Sequence, residues 1–203
     1  MIRSIFFILL LSFVLIQSSC NSSDKDKSKI SIGFSQSIDH DIWRKTMDHS
    51  MQVEASLHPE VNLTIYNANR SAKKQIHDLE RFIADKVDVI IVSPFESDSI
   101  VPVIEKAREK GIPVIMVDRK ANTPNYTAFL GADNIEVGRL AGKHIASISS
   151  GHATVVEIDA DLKTSPGLER SMGFQQIVKQ FPGIKVIITD SDDFGNPKST
   201  FSK

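Results

Sequence analysis

Two short apolar runs, "VDVIIVS" and "IPVIMVD", constrain the fold of this chain more than any other feature of its sequence. Both are rich in Val, Ile and Met with little polar alternation, as expected for strands of a parallel sheet that is covered on both faces. Residues 98–110 between them have helical periodicity, and Gly111 is a natural C-terminal stop. The sequence here predicts a strand, a helix and a second strand parallel to the first.

The same alternation of strand and helix patterns continues from residue 29 onward. Predicted strands cover residues 29–35, 62–67, 87–93, 112–118, 127–131, 153–159 and 184–189. Predicted helices cover residues 41–57, 71–85, 98–110, 134–149 and 165–180. Repeated strand–helix–strand units with right-handed crossovers build a doubly wound α/β sheet, which is the fold class that we predict.

Residues 1–20 form an apolar segment with a positive start, which is typical of a signal peptide and too short to span a bilayer as a helix. Cys20 is the only cysteine, so it cannot form an internal disulfide. Its position after two small residues resembles a bacterial lipobox, with Gln17 where that pattern usually has leucine. Lipidation of Cys20, plain cleavage and a retained anchor all stay open, and the polar residues 21–28 are predicted to be a linker.

Charge and motif content exclude several classes of function. Lys and Arg number 24 against 25 Asp and Glu, so there is little electrostatic support for a nucleic-acid partner. No GxGxxG motif follows a predicted strand and no GxxxxGK[ST] motif is present, which argues against a nucleotide cofactor. The six histidines lack the paired spacing of a zinc site, and no serine lies in a nucleophile elbow. We therefore expect no catalytic residues, no metal and no cofactor, and predict that the chain is not an enzyme.

Polar side chains follow the first and fourth predicted strands, at the point where each strand ends. The carboxyl ends of parallel strands lie at one edge of a sheet, where α/β proteins bind their ligands, so we expect these side chains to converge on a binding site. The residues are Ser35, Asp41, Trp43 and Arg44 in "SQSIDHDIWR", and Asp118 and Arg119 in "VDR".

An uncharged polyol such as a sugar matches this combination of residue types. An aromatic ring covers the apolar C–H face of a sugar, while carboxylates and guanidinium groups accept and donate hydrogen bonds around its rim of hydroxyls. Each residue also has a structural alternative. Asp41 can cap the helix that begins there, Trp43 can belong to the core, and Arg119 can pair with a surface carboxylate.

Five motifs in order, "IGFSQ…WR", "VDVIIVSPFESDS", "GIPVIMVDR", "GADNIEVGRLAG" and "ERSMGFQQ", resemble the type I periplasmic sugar-binding proteins of the ribose/galactofuranose-binding group. The resemblance implies two similar α/β lobes that close on a sugar at their interface. The first lobe would comprise residues 29–131. Residues 132–203 would form the crossover helix and a second lobe that is incomplete.

The resemblance also assigns ligand-binding roles to particular residues. Ser35, Asp41, Trp43 and Arg44 would line the wall of the first lobe, and Asp118 and Arg119 match an acid–arginine pair of the family. Asp133 or Asn134, in "GADN", would lie near the cleft, and Phe194, in "SDDF", matches an aromatic residue of the second lobe.

One position departs from the pattern of the ribose-binding members. Leu168 stands where these proteins commonly have a cleft arginine, and Arg170, which follows, is an arginine that the family often uses structurally. The resemblance therefore leaves the sugar open between a pentose and a hexose.

Two functions from different classes fit this resemblance. In the first, the chain binds a monosaccharide and delivers it to the membrane permease of an ABC importer. In the second, it is the periplasmic sensor domain of a membrane histidine kinase. A regulator of the lactose-repressor type shares the lobes but needs an N-terminal helix-turn-helix, and a signal peptide occupies that place. Both main hypotheses place the protein in the periplasm or at the cell surface of a bacterium, anchored there if Cys20 is lipidated.

Overall fold

The computed structural model describes residues 29–158 and 162–189. The predictions for the signal peptide, Cys20, the linker at residues 21–28 and Phe194 lie outside the described residues.

A parallel five-stranded sheet has the strand order β2-β1-β3-β4-β5. Its strands are β1 (Ile30–Gln36), β2 (Val61–Asn67), β3 (Val89–Val92), β4 (Val114–Val117) and β5 (Ala128–Leu130). The helices between them are α1 (Ile42–Ser56), α2 (Ala72–Ala84) and α3 (Val101–Glu109). These eight elements are called the first unit below.

A second, smaller arrangement follows, called the second unit below. It comprises α4 (Asn134–Ile148), β6 (His152–Ile158), α5 (Ser165–Val178) and β7 (Gly183–Thr189). Strands β6 and β7 pair in parallel, and together they form a two-stranded sheet. The predicted α/β class with parallel strands is thereby confirmed. None of the helices within residues 29–158 and 162–189 combines the length and apolar character that a bilayer crossing requires.

The element predicted least well is the third helix, which begins at Val101 and not at Asp98. The amide of Val101 donates to the carbonyl oxygen of Asp98 (3.2 Å), so the residues before the helix form a turn. Pro102 fits in the first turn of the helix, where a missing N–H costs no hydrogen bond.

The main core of the first unit lies between its sheet and the two helices α2 and α3. Leu79 and Phe82 of α2 pack in one cluster with Ile90 and Met116 of the sheet, and all four are fully or nearly fully buried. Gly33 permits this packing, because a β-carbon there would lie 2.6 Å from the ring of Phe82. Helix α1 contributes no buried residue. Since the chain crosses from β1 to β2 in one direction and from β2 to β3 in the other, right-handed connections place α1 on the opposite face.

Helices α4 and α5 of the second unit approach each other through glycines. A β-carbon at Gly138 would overlap the carbonyl oxygen of Arg170, and one at Gly173 would overlap that of Ile135. The buried cluster that these helices form with the two-stranded sheet is small. Its members are Ala146, Phe174, Val178 and Ile184.

Candidate functional site

The guanidinium of Arg44 joins two carboxylates from distant parts of the sequence at the carboxyl edge of the first sheet. Nη1 of Arg44 lies 2.8 Å from Oδ2 of Asp41, and Nη2 lies 3.2 Å from Oδ2 of Asp118. Both are charge-assisted hydrogen bonds, and Arg44 is largely buried between its partners. Three residues that the sequence placed at strand ends therefore meet, and we call them the Arg44 group.

Asp41 serves both the helix and this group. Its Oδ1 accepts a hydrogen bond from the backbone N–H of Arg44 (2.8 Å), which caps α1 as the structural alternative predicted. Burial raises the pKa of Asp41, but the hydrogen bonds that Arg44 donates outweigh it, and the pKa lies below its ordinary value. The cap therefore holds one carboxylate in its ionised form beside the guanidinium.

Asp118 has a backbone conformation that few residues adopt. Its φ of 63° lies in the left-handed region, which Asp and Asn tolerate better than other residues with a β-carbon. A residue stays in this region only when the surrounding structure holds it there, and such residues cluster at functional sites. Here the backbone N–H of Asp118 donates to the carbonyl oxygen of Leu130 at 2.9 Å, which ties the end of β4 to β5.

Arg119 links the carboxyl end of β4 to the loop after β3. Its Nη1 donates to the carbonyl oxygens of Pro94 (3.3 Å) and Phe95 (3.2 Å). Its Nε lies 3.8 Å from Oδ2 of Asp118. The predicted acid–arginine pair is thus present, although the guanidinium also has a structural role in the loop after β3.

Trp43 lies beside the Arg44 group and faces solvent. Its side chain is 53% exposed, and its ring centroid lies 5.5 Å from Cζ of Arg44. The alternative that Trp43 belongs to the core is therefore wrong. An indole with more than half of its surface exposed offers an apolar plate next to two carboxylates and a guanidinium.

Ser35 lies behind this surface and is fully buried. Nε2 of Gln75 lies 3.3 Å from its hydroxyl and donates to the carbonyl oxygen of Ser93 (2.9 Å), while Oε1 of Gln75 accepts from the amide of Phe95 (2.7 Å). Gln75 thereby joins the ends of β1 and β3. Gln75 was not predicted from the sequence, where a polar residue within the apolar stripe of α2 was the available signal.

A second polar contact, which is partly buried, joins α1 to the end of β1. Nε2 of Gln36 donates to Oδ1 of Asp48 at 2.9 Å. Burial raises the pKa of Asp48, and the hydrogen bond from Gln36 opposes this only in part. This pair fixes α1 against the end of β1, and it was not predicted from the sequence.

Asp133 and Asn134 make their contacts within the second unit. Oδ1 of Asp133 accepts from the amide of Glu136 (2.9 Å) and caps α4. Asn134 is buried, and its Oδ1 accepts a hydrogen bond from Nε of Arg170 (2.8 Å). Arg170 thus links α5 to the start of α4, in agreement with the structural role that the resemblance implied. In the described part of the chain, neither side chain hydrogen-bonds to the Arg44 group.

The two units touch where loops of the first unit meet the residues around the start of α5. Nζ of Lys120 lies 2.5 Å from Oε1 of Glu169, and the backbone N–H of Lys120 donates to Oγ of Ser165 (2.7 Å). The amide of Ser97 donates to the carbonyl oxygen of Lys163 at 3.1 Å. These contacts were not predicted from the sequence.

Across residues 29–158 and 162–189, no three His, Cys, Asp or Glu side chains are grouped as metal ligands.

The chain matches one protein family over most of its length. The profile of a family described as "Periplasmic binding protein domain" matches residues 32–200. Galactofuranose-binding protein YtfQ of Escherichia coli (strain K12) is 29% identical over 185 residues, which cover 89% of this chain and 58% of that protein. Ribose import binding protein RbsB of Bacillus subtilis (strain 168) is 28% identical over 177 residues, which cover 87% of this chain and 57% of that protein.

A solved structure shows a similar fold at higher sequence identity. It is the fructose-binding periplasmic domain of a hybrid two-component system, which is 38% identical and superposes with a TM-score of 0.75. The match covers 79% of this chain and 53% of that domain. The chain therefore spans little more than half the length of each of these three proteins.

Proposed function

Because the chain belongs to the periplasmic binding protein family, we propose that it binds a monosaccharide, a pentose or a hexose, outside the cytoplasm. The resemblance to type I periplasmic sugar-binding proteins is confirmed by this membership. The prediction that the chain binds rather than catalyses also fits, since the family and these relatives are binding proteins.

The observation that carries the proposal is the Arg44 group beside the exposed indole of Trp43. A sugar stacked on the indole would bring its ring hydroxyls to carboxylates that accept hydrogen bonds and to a guanidinium that donates them. Nε of Arg44 is buried and makes no hydrogen bond to the rest of the described chain, which leaves the guanidinium with an unused donor. Asp118 and Arg119 complete the proposed wall, so sugars with different hydroxyl patterns are distinguished by these charged groups.

The remaining predicted ligand residues have different positions in the proposal. Ser35 is buried behind the wall and contacts Gln75, while Asn134 is buried in the second unit and contacts Arg170. Asp133 caps its helix, and Asp133 or Asn134 would lie near the cleft in the second unit. Phe194, outside the described residues, would supply the second aromatic face.

Delivery of the sugar to the membrane permease of an ABC importer is the first role that we propose. The support is the similarity to a galactofuranose-binding protein and to a ribose import binding protein. Cleavage before Cys20 and lipidation of Cys20 would anchor such a protein at the membrane, and both belong to the proposal.

A sensor role is the second candidate, and one observation favours it. The chain is 38% identical to the fructose-binding domain of a hybrid two-component system, against 29% and 28% for the two curated relatives described above. In this role, closure on the sugar would be transmitted to a membrane histidine kinase.

Sequencing the gene beyond codon 203 discriminates the two roles. A membrane segment and kinase motifs in the same frame support the sensor, and neighbouring genes for a permease and an ATPase support the importer.

Binding is tested by titrating the protein with D-fructose, D-ribose, D-galactose and D-xylose. Trp43 is the only tryptophan, so its fluorescence reports the proposed site directly. We expect a saturable change with at least one sugar. Asp118→Asn removes the charge but keeps a side chain that tolerates a positive φ, and we expect it to weaken binding by about tenfold to a hundredfold.

Asp85→Asn is the matched control, because Asp85 is an exposed aspartate at the end of α2. It should leave the titration unchanged. Equal affinities of Asp118→Asn and the unaltered protein would overturn the proposed site, and no response to any sugar by fluorescence or calorimetry would overturn the proposed ligand class.

A further inference from the structure

The contact between the two units has a different composition from the Arg44 group. It includes an ion pair and two hydrogen bonds between the loops of the first unit and the residues around the amino end of α5. The ion pair joins Lys120, whose side chain is 29% exposed, to Glu169, which is 17% exposed. The loop of Lys120 is further held by its backbone hydrogen bond to Ser165.

The partial burial of this ion pair makes it sensitive to the arrangement of the units. A carboxylate withdrawn from water loses hydration, and here the nearby ammonium of Lys120 offsets that loss. Partly buried pairs are also screened less by salt than exposed ones. Because Lys120 belongs to a loop of the first unit and Glu169 to a helix of the second, their attraction exists only when the units lie together. The pair therefore contributes free energy to this arrangement and none to an arrangement in which the units are apart.

Lys120 is fixed on its own side of the contact before it meets Glu169. Its Nζ lies 5.0 Å from the ring centroid of Phe129 in β5, a cation–π distance. It also directly follows Arg119, whose guanidinium is held at the loop after β3. The segment that carries Asp118 and Arg119 thus continues without interruption into the contact with α5. Any movement of the second unit relative to the first acts on this segment.

We propose that Lys120, Ser165 and Glu169 form an interunit clamp that favours the closed arrangement before any ligand is bound. The clamp raises the affinity of the site by increasing the fraction of molecules whose two units already lie together. Its members are positioning residues, since they act through the arrangement of the units. The effect on affinity rests on the proposed function, while the effect on the ligand-free protein does not.

The ligand-free protein provides the first test. Spin labels are attached at Lys45→Cys in α1 and Met172→Cys in α5, both exposed positions, in a Cys20→Ser background. Their separation is measured by double electron–electron resonance without sugar. Glu169→Gln and Lys120→Met each remove the ion pair with little change of shape, and we expect both to increase the population at longer distances. A charge-assisted hydrogen bond of this kind corresponds to a shift of about tenfold in the closed-to-open ratio.

Two further variants make the result specific to the clamp. The exchange Lys120→Glu with Glu169→Lys should restore shorter distances relative to either single reversal, because it rebuilds the pair with opposite polarity. Lys106→Met with Glu80→Gln removes an ion pair of 3.4 Å that lies within the first unit, and it should leave the distances unchanged. Unchanged distances in both Glu169→Gln and Lys120→Met would overturn the proposal, and so would an equal shift in the Lys106 and Glu80 control.

The sugar titration provides the second test and separates the two proposals. If a sugar binds, Glu169→Gln should weaken its affinity by about tenfold, mainly through faster dissociation. Unchanged affinity and dissociation rate would overturn the effect of the clamp on binding. If no sugar binds to any form while the distances still respond to Glu169→Gln, the proposed function fails and the clamp stands.

Discussion

The two α/β units share the same strand–helix–strand pattern but differ in how completely their sheets are covered. In the first unit, the side chains of Ile90, Val92, Val114 and Met116 are fully buried beneath α2 and α3. In the second unit, several strand residues are between 42% and 59% exposed, namely Val156, Ile158, Ile187 and Ile188. Burial of apolar surface contributes about 25 cal/mol per Å², so the first unit gains most of its stability from its sheet and the second gains much less. A pattern that determines the type of unit therefore does not determine its stability.

The comparison is tested most severely by removing one phenylalanine from each core. Phe82→Ala should lower the free energy of unfolding by about 3–5 kcal/mol, because the ring is almost fully buried in the main cluster. Phe174→Ala should have a smaller effect, because its cluster has only a few buried members. Urea denaturation followed by Trp43 fluorescence and by circular dichroism measures both. A loss for Phe174→Ala that equals or exceeds that for Phe82→Ala would contradict the comparison.

The helix contact in the second unit is expected to be its most sensitive point. Gly138→Ala should cost about 1–3 kcal/mol, because the new β-carbon overlaps the carbonyl oxygen of Arg170 and the helices must separate. Ser147→Ala, at an exposed position of the same helix, is the control and should be neutral or slightly stabilising. Thermal denaturation distinguishes them, and a stabilising Gly138→Ala would show that the two helices are not held in close contact.

The helix caps Asp41 and Asp133 allow a comparison of the two units through smaller changes in the free energy of unfolding. Asp41→Ala should destabilise the protein by about 1 kcal/mol at pH 7, and more than Asp133→Ala, because Asp41 also pairs with Arg44 whereas Asp133 only caps α4. Burial raises the pKa of Asp41, yet the Arg44 hydrogen bonds bring it below the ordinary value of 3.8. The stabilisation is therefore fully present above pH 3.8 and is lost as the pH falls through the lower folded-state pKa.

Denaturation of both cap variants between pH 2.5 and pH 7 checks this expectation. Asp41→Asn is the matched control, since asparagine retains the capping oxygen without the charge. If the difference between Asp41→Ala and the unaltered protein were the same at every pH, the ionised carboxylate would have no part in it.

Substitutions on the exposed face of the two-stranded sheet should change the free energy of unfolding least. Ile187→Thr keeps a β-branched side chain in the strand and should change the free energy of unfolding by less than about 0.5 kcal/mol. Ile90→Thr makes the same change in the buried strand β3 and should cost several times more. A large loss for Ile187→Thr in denaturant titrations would mean that this face is covered in the folded protein, and the contrast between the units would disappear.

Sequence patterns predicted the elements of both units, because a buried parallel strand such as β3 or β4 is continuously apolar. They also predicted that Asp41, Arg44 and Asp118 would converge, since each follows a strand end on the same edge of the sheet. Asp41 caps its helix, as the structural alternative predicted, and it also pairs with Arg44, a contact that was not predicted. The ligand roles of these residues stay predictions.

Contacts that depend on the meeting of particular faces could not be predicted. Gln75 reaches Ser35 across 40 positions of sequence, and only the packing of α2 on the sheet brings them together. Lys120 and Glu169 are conspicuous only once the start of α5 lies against the loop after β4. Neither the periodicity nor the spacing of the residues carries that information.

The positive φ of Asp118 restricts how this site can diverge. A side chain at this position must tolerate the left-handed region, so the substitutions that disturb the loop least are asparagine and glycine, and neither carries a charge. A longer acid or a β-branched residue would have to rebuild the turn at the end of β4. Variants selected for a new ligand should therefore change at Arg119 or Trp43 more readily than at Asp118.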